Sequence, residues 1–297
     1  MDSPPGLIER AAARLRDANV ATPAPLERHT PEFRGTAVEP PPLTRQVVLD
    51  RTHLAQRGIS MPWATTARIV EEYRIIKRNI IFRWQTPEYL ATAQQSPKVI
   101  MVTSSKPREG KTFSSINLAL AFAAEENLVT VLIDADPVRG DAASSLKIPF
   151  EPGLTDVLAG EVRLHEALIQ TDLANLVVLP PGAPGPHVPE LLSGRGPGLL
   201  FADIAARYPE HVIIMDTAPC LASTDPAGLA RVVNQVVFVV EAGQTQRAEI
   251  ESSLNLLSSC RHISFVLNKA PAGSSEHFGA YSYYYEPGKT EGKAGVD

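Results

Sequence analysis

The amino-acid sequence predicts an α/β protein built on a doubly wound, mostly parallel sheet with helices on both faces. Three observations carry this. From residue 98 onward, short Val- and Ile-rich runs alternate with helical stretches, the pattern of repeated βαβ units. Several runs lack polar alternation, as strands buried on both faces do. Two of the runs end directly in aspartates, where an open parallel sheet gathers its ligands.

Taken in order, residues 1–60 read as a flexible arm. Leu7–Ala18 suits a short helix, but Pro23, Pro25, Pro31 and Pro40-Pro41-Pro42 follow, and prolines at that density favour extended chain over a packed core. A short docking element is expected near Val47–Leu54. Residues 61–270 form the domain, and 61–97 its helical opening. Within residues 64–84, Ile69, Tyr73, Ile76 and Ile80 recur at helical spacing, with Glu71, Glu72, Arg74, Lys77 and Arg78 on the other faces, an amphipathic helix. Strands are expected at Val99–Thr103, Thr130–Ile133, Leu176–Leu179, Val212–Met215, Val236–Val240 and Ile263–Leu267. Helices are expected at Thr112–Glu126, Leu154–Ala159, Gly198–Arg207 and Ala248–Ser258. Residues 271–297, rich in Gly, Ser, Tyr and Glu with little to bury, read as a mobile tail.

Composition narrows the function. A net charge of -5 on 297 residues argues against nucleic acid held by the overall field. The cysteines, Cys220 and Cys260, form neither a CxxC pair nor a disulfide framework and suit a reducing cytosol. The opening Met-Asp-Ser-Pro-Pro has no signal-peptide character. The best apolar run, Ile116–Ala124, falls far short of the roughly 18 residues a spanning helix needs. Contact with a membrane is therefore expected only through a partner.

The strongest local signal is Ser104-Ser105-Lys106-Pro107-Arg108-Glu109-Gly110-Lys111-Thr112, between an apolar strand and a helix. That setting is what a Walker A loop requires. The loop backbone from Ser105 through Phe113 would wrap the phosphates, donating through its N–H groups, which Pro107 alone lacks. Lys111 would supply charge to the β- and γ-phosphates, and Thr112 would place its hydroxyl on magnesium. ATP and Mg2+ are the expected cofactors. Ser105 stands where the pattern usually has its first glycine. Two further strands lead into Asp134-Ala135-Asp136 and Asp216-Thr217-Ala218-Pro219. A single aspartate there is usually a turn or cap, but these would converge near Thr112 and offer oxygen to a hard cation.

These three motifs resemble the Walker A, A′ and B motifs of the bacterial tyrosine kinases (BY-kinases), within the wider class of MinD and ParA ATPases. The resemblance covers about residues 68–285. Glu71, Arg74 and Lys77 resemble the family's E-x-x-R-x-x-R subunit-packing helix, with Lys77 replacing the last arginine. Leu179-Pro180-Pro181-Gly182 and Pro189-Glu190-Leu191-Leu192 are similar to another recurring family segment. Tyr281, Tyr283, Tyr284 and Tyr285, four of the seven tyrosines, resemble its C-terminal autophosphorylation cluster. In the A′ motif, Val138 stands where the family has arginine, and Arg139 follows.

The resemblance implies an autokinase acting in trans within a ring-like homo-oligomer. In such a transfer, magnesium would be held by Thr112, Asp134 and Asp216, and Asp136 is the candidate for accepting or orienting the tyrosine proton. The resemblance also implies a role in exopolysaccharide or capsule synthesis, activated by the cytosolic segment of a membrane polysaccharide co-polymerase and reversed by a tyrosine phosphatase. The expected location is cytoplasmic, at the inner face of the membrane. The segment Val47–Lys77 is most similar to stand-alone autokinases of exosortase loci. Asn268, at the end of the last strand, is the candidate for the adenine contact. Lys106 sits where MinD- and ParA-type ATPases carry a lysine that crosses a dimer, so a positioning ATPase is the alternative. A non-catalytic scaffold is the third reading.

Overall fold

The computed structural model describes residues 41–64, 68–93 and 98–271. The chain runs through β1 (Arg45–Val47), α1 (Arg51–Gln56), α2 (Arg68–Trp84), α3 (Pro87–Ala93), β2 (Val99–Ser104), α4 (Lys111–Ala123) and β3 (Val129–Ala135). It continues through α5 (Asp141–Leu146), α6 (Leu154–Leu158), α7 (Leu164–Ala167), β4 (Ile169–Thr171), β5 (Leu176–Leu179), α8 (Val188–Ser193) and α9 (Gly196–Arg207). It ends with β6 (His211–Thr217), α10 (Asp225–Leu229), β7 (Gln235–Glu241), α11 (Arg247–Leu256) and β8 (Ile263–Asn268).

The strands form one eight-stranded sheet in the order β1-β4-β5-β3-β6-β2-β7-β8. Every neighbouring pair is parallel except β4 with β5. Successive side chains of a strand face opposite sides, and the two cores follow that alternation. Ile100 and Val102 of β2 join Leu132, Ile214 and the α4 residues Ile116, Leu120 and Phe122 on one face. Val99 and Met101 join Val131, Met215 and the α9 residues Leu200, Phe201 and Ile204 on the other. The apolar runs of the sequence are these doubly buried strands.

The sheet begins earlier than the proline pattern suggests. Residues 41–60, assigned by composition to the flexible arm, are part of the fold. β1 adds parallel to β4, and Leu49, Leu54 and Ile59 are buried. The segment Val47–Leu54, expected as a short docking element, folds as this strand end and helix. Its anchor is polar: Arg45 Nη1 donates to the carbonyls of Pro152 (2.7 Å) and Ala167 (2.9 Å), contacts that no local pattern announces. β4 and its antiparallel pairing with the expected β5 went unread, because a three-residue strand carries too little periodicity. The expected helix at 7–18 and the tyrosine cluster lie outside the described residues.

Candidate active site

The phosphate loop occupies the crossing between β2 and α4. Gly110, at φ +102°, is the left-handed residue before the helix, and a Cβ there would stand 1.9 Å from Asn268 Nδ2. Only glycine meets both demands. The other left-handed residue of the loop is Arg108, at φ 70°. Ser105 is not in that region, so serine at the usual glycine position carries no backbone strain. Its buried hydroxyl instead receives a hydrogen bond from Ser253 of α11 (3.1 Å).

Glu109 holds the loop from inside. Its carboxylate accepts from the backbone N–H of Lys106 (2.7 Å) and from the Thr245 hydroxyl (2.6 Å). Its carbonyl accepts from Asn268 Nδ2 (2.8 Å). Lys269 Nζ donates to the Arg108 carbonyl (2.7 Å). Asn268 is thus brought to the loop as a brace. Lys106 turns away from the loop and pairs with Glu249 of α11 at 2.9 Å. Contact with that carboxylate raises the lysine's affinity for its proton.

The strand-end acids do converge. β3 and β6 pair with Asp134 opposite Asp216. Lys111 Nζ, buried, lies 3.4 Å from Asp136 Oδ2 and 4.0 Å from Asp216 Oδ1. The Thr112 hydroxyl donates to Asp216 Oδ2 (2.7 Å), and the Ser115 hydroxyl to Asp216 Oδ1 (3.1 Å). Asp134 is committed differently. Its Oδ1 accepts from the N–H of Asp136 (3.2 Å), and its Oδ2 from the N–H groups of Ala142 (3.0 Å) and Ala143 (2.9 Å). It clamps the β3–α5 connection and so aims Asp136 at Lys111. Burial, followed by the neighbouring Asp216 charge, pushes the Asp134 carboxyl up to about 7. Burial likewise raises Asp216, against the pull of Lys111 and the two hydroxyls. Three buried carboxyls thus share one buried lysine, and a cation brought beside them would favour their ionised forms.

Arg139 pairs with Asp141 at 3.6 Å, and Val138 is exposed. In the α2 motif, Arg74 bonds Glu71 (3.2 Å) and the Pro62 carbonyl (2.8 Å). Lys77 turns inward, donating to the Ala121 carbonyl (3.0 Å) and pairing with Glu125. Ser115, Thr245, Glu249 and Ser253 are site residues that sequence reasoning missed. Only Ser115 had a local signal: a small hydroxyl four positions after Lys111, one turn along the same helix face.

No protein-family model matches the chain. The Bacillus subtilis tyrosine-protein kinase YwqD is 30% identical over 213 residues, covering 71% of this chain and 85% of that protein. Streptococcus pneumoniae tyrosine-protein kinase CpsD is 31% identical over 200 residues, covering 65% and 84%. The chain belongs to the bacterial tyrosine-protein kinases. Among solved structures, the VpsO kinase domain is 32% identical with a TM-score of 0.54, covering 67% of this chain and 98% of that one. The described fold of this tyrosine-protein kinase includes no helix long and apolar enough to cross a membrane.

Proposed function

We propose that the kinase transfers the γ-phosphoryl group of ATP to Tyr281, Tyr283, Tyr284 and Tyr285 of a neighbouring copy. The observation that supports this most is the buried Lys111, 3.4 Å from Asp136 and 4.0 Å from Asp216, at the mouth of a phosphate loop in a tyrosine kinase. Phosphoryl transfer needs positioning and charge neutralisation more than covalent chemistry. Lys111 would neutralise the β- and γ-phosphates. Asp136 would accept the hydrogen bond of the tyrosine hydroxyl and take its proton, since a phenol ionises only near pH 10 or so unaided. The phenol oxygen then bonds to the γ-phosphorus as the bond to the bridging β–γ oxygen breaks, and ADP leaves.

Magnesium fits the donor set. Among the described residues no three His, Cys, Asp or Glu side chains form a metal cage. Magnesium is typically held by one or two carboxylates with substrate phosphates, and Asp216 beside the Thr112 hydroxyl supplies that hard-oxygen pair. Asp134, with both oxygens engaged, would contribute chiefly charge. When bound, the cation would neutralise phosphate charge alongside Lys111.

The reading extends to control of exopolysaccharide or capsule synthesis, with the cytosolic segment of a membrane co-polymerase as activator and a phosphatase as the reverse reaction. Arg74 and Glu71, the outward-facing members of the α2 motif, would serve a ring contact, with Lys77 acting as a strut to α4.

The test is to incubate the full chain with ATP and Mg2+, with and without the activator fragment, and map phosphotyrosine by mass spectrometry. Phosphate is expected at residues 281–285, absent in Lys111→Met and restored on that variant's tail by an active copy. ATP hydrolysis with no phosphotyrosine would instead identify a positioning ATPase, and binding without turnover a scaffold.

A further inference from the structure

A cleft of 240 Å³ opens beside the phosphate loop, and part of its lining comes from the segment 57–59, outside the three phosphate-site motifs. Lys111, Thr112 and Phe113 line it, as do Arg139, on the connection that carries Asp136, and Ser145 of α5. Arg57 and Ile59, just past α1, line it too.

The backbone under Arg57 is clamped. Leu54 and Ile59, on either side of it, are buried. Asp50, the N-cap of α1, pairs with Lys147 at 2.7 Å, and Arg51 pairs with Asp172 at 2.7 Å. Gly58 turns at φ +75°, where a Cβ would meet the Phe113 ring at 3.4 Å, so the turn rests on the helix that follows the phosphate loop. The Arg57 side chain on this fixed base is exposed, and among the described residues no hydrogen bond or ion pair engages its guanidinium. Arg139, by contrast, is already turned to Asp141 at 3.6 Å. A preorganised cleft thus holds the cations Arg57, Arg108, Lys111 and Arg139 against the acid Asp141. That excess suits a polyphosphate.

We propose that Arg57 contacts the terminal phosphoryl group of the bound nucleoside triphosphate, in the cleft that it lines together with Lys111. This rests on the nucleotide reading of the phosphate loop. A guanidinium offers a planar fork that can bond two phosphoryl oxygens at once. Supplied in cis by the segment before the kinase core, it would stabilise charge at the γ-phosphate as arginines do in other phosphoryl-transfer sites. A diphosphate lacks the group that Arg57 would hold, so the signature is discrimination between tri- and diphosphate.

The experiment uses the full chain with Mg2+ and measures affinities for ADP and for a non-hydrolysable ATP analogue in parent, Arg57→Ala, Arg57→Lys and Lys111→Met. Arg57→Ala is expected to weaken the ATP analogue by about tenfold or more and ADP by less than about twofold. Arg57→Lys should recover part of the loss, keeping the charge without the fork. Because Arg57 is exposed, the unliganded melting temperature should not change; if Arg57→Ala does unfold, the lysine variant alone decides. Equal weakening of both nucleotides, or no weakening of either, overturns the assignment. Lys111→Met separates the two levels: if it leaves both affinities unchanged, the nucleotide reading itself fails. If it weakens both while the Arg57 variants respond as the parent does, only Arg57's role is lost.

Discussion

In the phosphate cradle, most of the charged groups sit within a few residues of a strand end or a helix start. In the N-terminal strap, residues 41–60, the anchoring contacts cross most of the domain. Arg45 reaches Pro152 and Ala167 over 107 and 122 positions, and Leu49 N–H reaches Asp172 over 123. The cradle concentrates buried charge, with Asp134, Asp136 and Asp216 around Lys111. The strap is held by apolar anchors and partly exposed ion pairs. The difference predicts that damage to the cradle shows first in chemistry, and damage to the strap first in stability.

The largest effect should come from Lys111→Met, which removes the cradle's buried cation. Phosphotransfer is expected to fall by about a hundredfold to a thousandfold, the loss typical when a key charge-stabilising donor is removed, measured by single-turnover phosphotyrosine formation. A variant that keeps a tenth of parental activity would end the assignment of Lys111. On the strap side, Leu54→Ala empties a buried site and should cost about 2–5 kcal/mol in denaturant unfolding. The reading predicts that the stability loss of Leu54→Ala is the larger of the two, and the loss of turnover the smaller.

Gly110→Ala tests the cradle's backbone. The added methyl meets Asn268, and φ +102° is poorly tolerated by alanine. A destabilisation of about 1–3 kcal/mol is expected, together with loss of nucleotide affinity, since the Asn268 brace to the Glu109 carbonyl must move.

The strap should also respond to acid before the sheet does. Burial raises the Asp172 carboxyl, but the Leu49 N–H and Arg51 outweigh it and leave it below its ordinary value. Asp50 is lowered by Lys147 and by the His53 N–H. A folded pKa below the unfolded one gives stability that is present at neutral pH and lost as pH falls through the carboxylate range. Proteolysis at Arg51 and Arg57 by an acid-tolerant protease should therefore rise between pH 5 and about 3, and Asp172→Asn should show the same increase at neutral pH. Unchanged protection in both cases would mean the ion pairs do not hold the strap.

The same contrast explains what the sequence revealed. Six of the strands were legible: β2, β3, β5, β6 and β7 are apolar runs buried on both faces, and β8, half-exposed at the sheet edge, still carries Ile263, Phe265, Val266 and Leu267. The Lys111–Asp136–Asp216 cluster was legible because the topology of a parallel sheet forces strand ends together. Short-range grammar does not encode the strap, so Pro40–Pro42 outweighed Leu49, Leu54 and Ile59 in the reading. It also could not show that Asn268 braces Gly110, or that Lys77 folds back on α4. Those roles depend on partners far away in the chain.

The smallest effect is expected at Lys106, where the two halves of the cradle differ most. Lys111 is buried among acids, while Lys106 is partly exposed and pairs with Glu249 at 2.9 Å. Its contributions to the loop are made by its backbone: the N–H donates to Glu109, and the carbonyl accepts from Ser104 Oγ at 2.8 Å. Lys106→Ala keeps both and removes only a partly exposed ion pair, of a kind that usually contributes little. The melting temperature should move by no more than about 2 °C, and autophosphorylation should stay within about threefold of the parent. A lysine that instead reached across a dimer to a neighbour's phosphate would lose a transition-state contact, with a drop of a hundredfold or more. That outcome would move Lys106 into the catalytic half of the cradle and bring the protein's mechanism closer to that of a dimerising ATPase.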